Sequence, residues 1–174
     1  MRRVVIGAAS LVAALTLVTA SASAQFYVAG YATLPSGDYG DFAKTGWMAE
    51  GGVKLLSSSN KRLGVYVSGG YGQNNGEDQI AFDVKYTSII GLGQVTYNLT
   101  TEGSTMPYLI GSAGYWSLKE DVTDIANETN GGFAWGGGAG IGFASKFFVE
   151  GRYLTAKING ATTSQLLLGA GVLF

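Results

Sequence analysis

The chain has 174 residues with 11 basic and 12 acidic side chains, and it contains no cysteine and no histidine. A formal net charge of −1 gives no sign of the basic face that a nucleic-acid partner requires. The missing cysteines exclude disulfides as a source of stability, and the missing histidines remove the commonest general base.

Arg2 and Arg3 precede a mostly apolar run from Val4 to Val18, and Ala22-Ser23-Ala24 fits a small-residue cleavage site. This pattern predicts a cleaved secretory signal peptide over 1–24, because a spanning helix needs about 20 apolar residues. Residues 25–174 are then long enough for one domain, and no later stretch is apolar enough for a helical span. Export leaves two settings: a soluble secreted protein, or a protein of an outer membrane.

Helical periodicity is scarce. The 28 glycines are spread through the chain, where they weaken helices. Alternation with a period of two is common and predicts eight strands: Gln25–Leu34, Gly46–Leu56, Arg62–Gly72, Lys85–Leu99, Met106–Leu118, Gly132–Ala144, Lys146–Ala156 and Ser164–Phe174. After the second, fourth and sixth strands come SSSNK, TTEGST and a single serine. After the first, third, fifth and seventh come PSGDYGDFAKT, QNNGEDQIAFDV, KEDVTDIANETNG and KINGATT. Short turns at one end and long polar loops at the other describe an all-β, eight-stranded antiparallel up-and-down transmembrane barrel.

The strand faces carry the next expectations. In FAWGGGAGIGF, residues Phe133, Trp135, Ala139, Ile141 and Phe143 share one face, and Ala134, Gly136, Gly138, Gly140 and Gly142 share the other. A bulky apolar face suits lipid, and a glycine face suits a crowded lumen. Trp47, Ala49, Gly51, Val53 and Leu55 oppose Met48, Glu50, Gly52, Lys54 and Leu56. Phe147, Val149, Gly151 and Tyr153 oppose Phe148, Glu150, Arg152 and Leu154. Faces alone do not say which side is outside. The export signal, the loop asymmetry and the aromatics together decide it. Trp47, Tyr86, Phe133, Trp135 and Tyr153 fall near the long-loop end, and Tyr97, Phe143, Phe147 and Phe174 near the short-turn end, as in the two aromatic girdles of a membrane barrel. The first and fifth strands leave their registers open.

The segments PYLIGSAGYW, GGFAWGGGAGIGF and KFFVEGRYL, with a terminal Phe174, resemble the outer-membrane β-barrel domain family, in its small OmpA/OmpX/opacity-type group. The resemblance spans residues 25–174. It implies that Leu166, Leu168, Ala170, Val172 and Phe174 form the C-terminal signal read by the barrel-assembly machinery. It implies adhesion, host interaction or envelope integrity as candidate roles, without choosing among them. Small barrels of this kind that act as enzymes use a histidine base, and this chain has none.

With bulky residues facing lipid, Glu50, Lys54, Glu150 and Arg152 point inward. The second and seventh strands lie three steps apart around an eight-stranded barrel. Buried charges are costly unless paired, so these four are expected to form a lumenal ion-pair network with Gln94 beside it. The acidic loop residues are Asp38 and Asp41; Glu77, Asp78 and Asp83; and Asp121, Asp124 and Glu128 with Lys119 and Glu120. They suit a divalent cation, a basic partner or a solvated crown, and no loop fits the EF-hand pattern. The glycine run does not fit G-x-G-x-x-G, and no phosphate-binding loop occurs. No cofactor or catalytic pair is expected. The partners are outer-membrane lipid, the assembly machinery, and an extracellular protein or surface ligand at the loops. The leading function is a structural, surface-displaying barrel with a side-chain-plugged lumen in a bacterial outer membrane. The alternatives are a narrow channel for ions or small solutes, and a soluble exported barrel holding an apolar ligand.

Overall fold

The computed structural model describes residues 25–76, 84–122 and 128–174. They form eight strands: β1 (Phe26–Gly37), β2 (Gly46–Ser57), β3 (Leu63–Asn75), β4 (Val84–Asn98), β5 (Thr105–Val122), β6 (Glu128–Phe143), β7 (Phe147–Ile158) and β8 (Ala161–Leu173). Each pairs antiparallel with its neighbour in sequence, and β1 also pairs with β8, which closes the barrel. Phe26 and Phe174 exchange backbone hydrogen bonds, so both ends of the described chain lie at one rim. A closed ladder satisfies the backbone polar groups without water, as a hydrocarbon environment demands.

Burial follows the pleat. In β1 the odd residues Tyr27, Ala29, Tyr31 and Thr33 are buried, and Phe26, Val28 and Leu34 are exposed. In β5 the even residues Ile110, Ser112 and Trp116 face in, and Leu109 and Tyr115 face out. The two registers that alternation left open are thus resolved. Outward-facing apolar side chains include Trp47, Ile89, Val95, Phe133, Trp135, Val149 and Leu168, so the apolar face points away from the barrel axis. A soluble barrel would put that face inside and its charges outside. The soluble, apolar-ligand alternative therefore fails.

Four expectations are corrected. KINGATT is no long loop: β7 runs to Ile158, β8 starts at Ala161, and Asn159-Gly160 joins them with φ of 52° and 83°. Two positive φ values at Asn-Gly are the signature of a tight I′ hairpin whose twist matches its strands. Lys119, Glu120, Asp121 and Glu128 are not loop residues either. β5 and β6 continue upward, pairing Lys119 with Thr129 and Glu120 with Glu128. Polar residues there reflect strands that rise beyond the apolar band. Tyr86 is buried at 7 % exposure and belongs to the interior rather than an outer girdle. Leu56 leaves the inward face because the ladder shifts register between Lys54 and Leu56, and it stands 67 % exposed. Asp38 and Asp41 lie in a short 3-10 turn, Asp38–Asp41. The expected signal peptide and Glu77, Asp78, Asp83 and Asp124 lie outside the described residues.

Candidate functional site

The lumen is the candidate site, and it has three levels. An eight-stranded barrel encloses a space just wide enough for side chains to fill. At the long-loop end the fill is apolar. The 3-10 turn carries Tyr39 inward over the mouth, where it meets Tyr86 and Trp116 edge-on at ring-centroid distances of 5.6 and 6.1 Å. Such edge-to-face pairs are worth roughly 0.5–1.5 kcal/mol beyond their buried area. Trp116 and, in the same buried cluster, Met48, Ala134 and Leu154 are at most 1 % exposed. The Trp116 indole nitrogen donates to Ser88 Oγ at 3.1 Å. The connection is held down at both ends: the Asp38 carboxylate Oδ2 accepts from Thr162 N at 2.8 Å, and Lys44 N donates to the Asn75 carbonyl at 2.8 Å. Burial pushes the Tyr39 hydroxyl pKa up.

The middle level is a polar network. Arg152 is fully buried, and its Nη2 lies 2.5 Å from Glu50 Oε2. Its Nε lies 3.7 Å from Glu150 Oε1. Glu50 Oε1 also accepts from the Tyr27 hydroxyl at 2.5 Å and from Gln94 Nε2 at 2.8 Å. Gln94 Nε2 reaches Ser68 Oγ at 2.9 Å. Glu150 accepts from Tyr31 at Oε1 and from Tyr108 at Oε2, both at 2.8 Å. The Arg152 guanidinium carbon stands 5.3 Å from the Tyr31 ring centroid, within cation–π range. Glu50, Glu150, Arg152 and Gln94 are thus brought together. Lys54 is not. Its Nζ contacts Gln25 Oε1 at 3.2 Å and stands 5.9 Å from the Tyr66 ring centroid, near the short-turn rim.

Sequence reasoning did not single out the tyrosines, yet they complete the network. Each large inward aromatic near the carboxylates stands over a glycine directly paired across the ladder. Tyr27 pairs with Gly52, Tyr31 with Gly169, Tyr108 with Gly140 and Phe148 with Gly171. A methyl group at any of these glycines would overlap the ring. The inward glycines therefore make space for the phenols that solvate the carboxylates. The pairing of aromatic with glycine across the ladder is the device that rescues glycine-weakened strands.

The lowest level is open. A cavity of about 460 Å³ reaches from the network to the short-turn rim, between Tyr66, Tyr108, Phe148 and Leu173 and with Lys54 and Lys61 among its lining. Among the described residues, no group of three or more His, Cys, Asp or Glu is placed to hold a metal ion. On the outer surface Trp47, Tyr97, Phe133, Trp135, Phe143, Phe147 and Tyr153 are each at least 39 % exposed. Leu168, Ala170 and Phe174 are also exposed, and Leu166 and Val172 on the same outward face of the last strand are half-buried.

Comparison with known proteins follows this geometry. The sequence matches the outer membrane protein beta-barrel domain family over residues 7–174. No curated protein matches it. Among solved structures it is similar to Neisserial surface protein A, with a TM-score of 0.65 and 16 % identity, covering 86 % of this chain and 95 % of that one. It is similar to Ail, the attachment invasion locus protein of Yersinia pestis, with a TM-score of 0.55 and 14 % identity, covering 87 % and 97 %. A further Ail structure is a complex with the heparin analogue sucrose octasulfate. The N-terminal barrel of Pseudomonas aeruginosa OprF follows, with a TM-score of 0.51 and 14 % identity, covering 86 % and 97 %. At these identities the likeness is one of fold.

Proposed function

The chain belongs to the outer membrane protein beta-barrel domain family and resides in the bacterial outer membrane, and on that premise we propose that it is a plugged barrel that anchors surface connections and supports the envelope. What supports this reading is the packing of the lumen: Tyr39, Trp116, Met48 and Leu154 are buried in its upper half, and Glu50, Arg152 and Glu150 stand together in its middle. Side chains locked by packing and mutual hydrogen bonds make a rigid support for whatever is displayed above them.

Three longer connections and one tight hairpin make the display end. Described acidic residues there are Asp38, Asp41, Glu120, Asp121 and Glu128. Over these connections the sequence carries nine acidic residues against the four lysines Lys44, Lys85, Lys119 and Lys157, an excess that disfavours a sulfated polyanion of the sort bound to Ail and favours a basic protein surface. Residues 1–24 act as the export signal. The outward stripe Leu166, Leu168, Ala170, Val172 and Phe174 serves the assembly machinery, and the exposed Trp and Tyr rings set the barrel's depth in lipid. No catalytic role is assigned: the absence of histidine, and lumen carboxylates already engaged by Arg152 and phenols, support that.

The test is complementation of cells lacking the chain. A variant with 77–82 and 123–127 replaced by short Gly-Ser turns is expected to restore detergent resistance but not surface attachment. Restoration of both by that variant would refute the display role. The open lower half of the lumen favours a second reading, a narrow channel closed above, which conductance separates from the first.

A further inference from the structure

The lower lumen is a blind vestibule with a distinct chemistry at each end. Its floor is Glu150, which stands three residues into β7, roughly 10 Å along the strand from its turn-end start. The two carboxyl groups of the network share one guanidinium, so one carboxyl exceeds the local cations. Tyr31 and Tyr108 spend their hydroxyl protons on Glu150, which leaves phenol oxygen lone pairs as acceptors beside the vestibule. The floor thus offers acceptors and few free donors. Aromatic rings, Tyr66 and Phe148 among them, line the walls. At the mouth the sign reverses, because Lys54 and Lys61 both line it.

An inorganic divalent cation fits this poorly. It wants six or more oxygens, several of them carboxylate, whereas the floor presents one carboxylate already held by two phenols. A simple organic cation must pass two lysines, and a simple anion would meet Glu150. The geometry points to a small linear zwitterion, its primary ammonium at Glu150, Tyr31 and Tyr108 and its acidic group at Lys54 and Lys61. The ammonium supplies the donors that the floor lacks, and the connecting methylenes lie against Tyr66 and Phe148. The ligand class is an ω-amino acid or a short peptide of similar reach, entering from the short-turn rim.

The test is calorimetric binding to the protein purified from outer membranes in an uncharged maltoside detergent. The probes are 6-aminohexanoate, hexylamine and hexanoate. We expect 6-aminohexanoate to bind at least tenfold more tightly than either single-ended analogue. Replacing Lys54 and Lys61 together by Met is expected to weaken 6-aminohexanoate about tenfold without weakening hexylamine. Tyr108→Phe is expected to weaken both amines and to leave hexanoate unchanged. Hexanoate binding as tightly as 6-aminohexanoate would overturn the assignment, as would no binding by any probe or indifference to the lysine replacements. The three-probe comparison on the unaltered protein decides the question even where a variant fails to fold.

Discussion

Arg152 is the residue on which the interior depends most. It is buried beside two carboxylates, and removing one member of such a set leaves uncompensated charge that costs roughly 3–5 kcal/mol. Arg152→Ala is therefore expected to lower unfolding stability in phospholipid vesicles by that amount. The triple replacement Glu50→Gln, Glu150→Gln and Arg152→Met is expected to recover most of the loss, because it removes the charges rather than orphaning them. Urea titration followed by tryptophan fluorescence measures both. Equal losses in the single and triple variants would mean that packing, not charge, governs the site. The inward direction of Glu50, Glu150 and Arg152 was legible in their parity. The height of Lys54 was not: four residues along a strand is roughly 13 Å, which takes it from Glu50 to the rim. Tyr27 and Tyr31 were hidden for another reason. Both faces of FYVAGYATL mix aromatic and small residues, so alternation has no contrast to read.

At the scale of an element, glycines divide by face. Gly140 lies under the Tyr108 ring, so Gly140→Val forces that ring away from Glu150. Overpacking of this kind costs about 1–3 kcal/mol. Gly91 faces outward with open space at its Cβ position, and Gly91→Val is expected to be near neutral. The difference is read as the urea midpoint of each variant; equal midpoints would show that the inward glycines are not making room for the phenols. The β7–β8 hairpin gives a second expectation. Gly160 holds a φ of 83° that a side chain rarely adopts, so Gly160→Ala is expected to cost about 1 kcal/mol in the same titration. Asn-Gly between two alternating runs signals a two-residue turn, but its neighbours Lys157, Thr162 and Thr163 are polar and read as loop. The same confusion shortened β5 and β6 in the sequence reading. Hydropathy tracks where the strands leave lipid, whereas backbone pairing continues beyond that height.

The whole molecule is a barrel turned inside out relative to a soluble one, and this was largely legible. Strand number, order and face follow from alternation and from connection length. What alternation lacks is the sign of the radial direction, which the export signal and aromatic bands supplied. A charge placed outward tests that sign. Leu168 is 46 % exposed near the middle of β8, and Leu168→Arg is expected to cost roughly 2–4 kcal/mol in vesicles, as arginine does at the mid-plane of a lipid-facing surface. A neutral effect would place this face in water.

The filled upper lumen is the claim on which the functional reading turns, and ion flow reads it directly. The measurement is single-channel conductance of the chain inserted in a planar bilayer, with its mobility on an unboiled gel as the folding control. The account predicts no stable conductance from inserted protein, because on the proposed reading the buried Tyr39, Trp116, Met48, Leu154 and Glu50–Arg152 pair block the lumen. A stable small conductance from the folded barrel would contradict it and would make the lower vestibule the entrance of a pore.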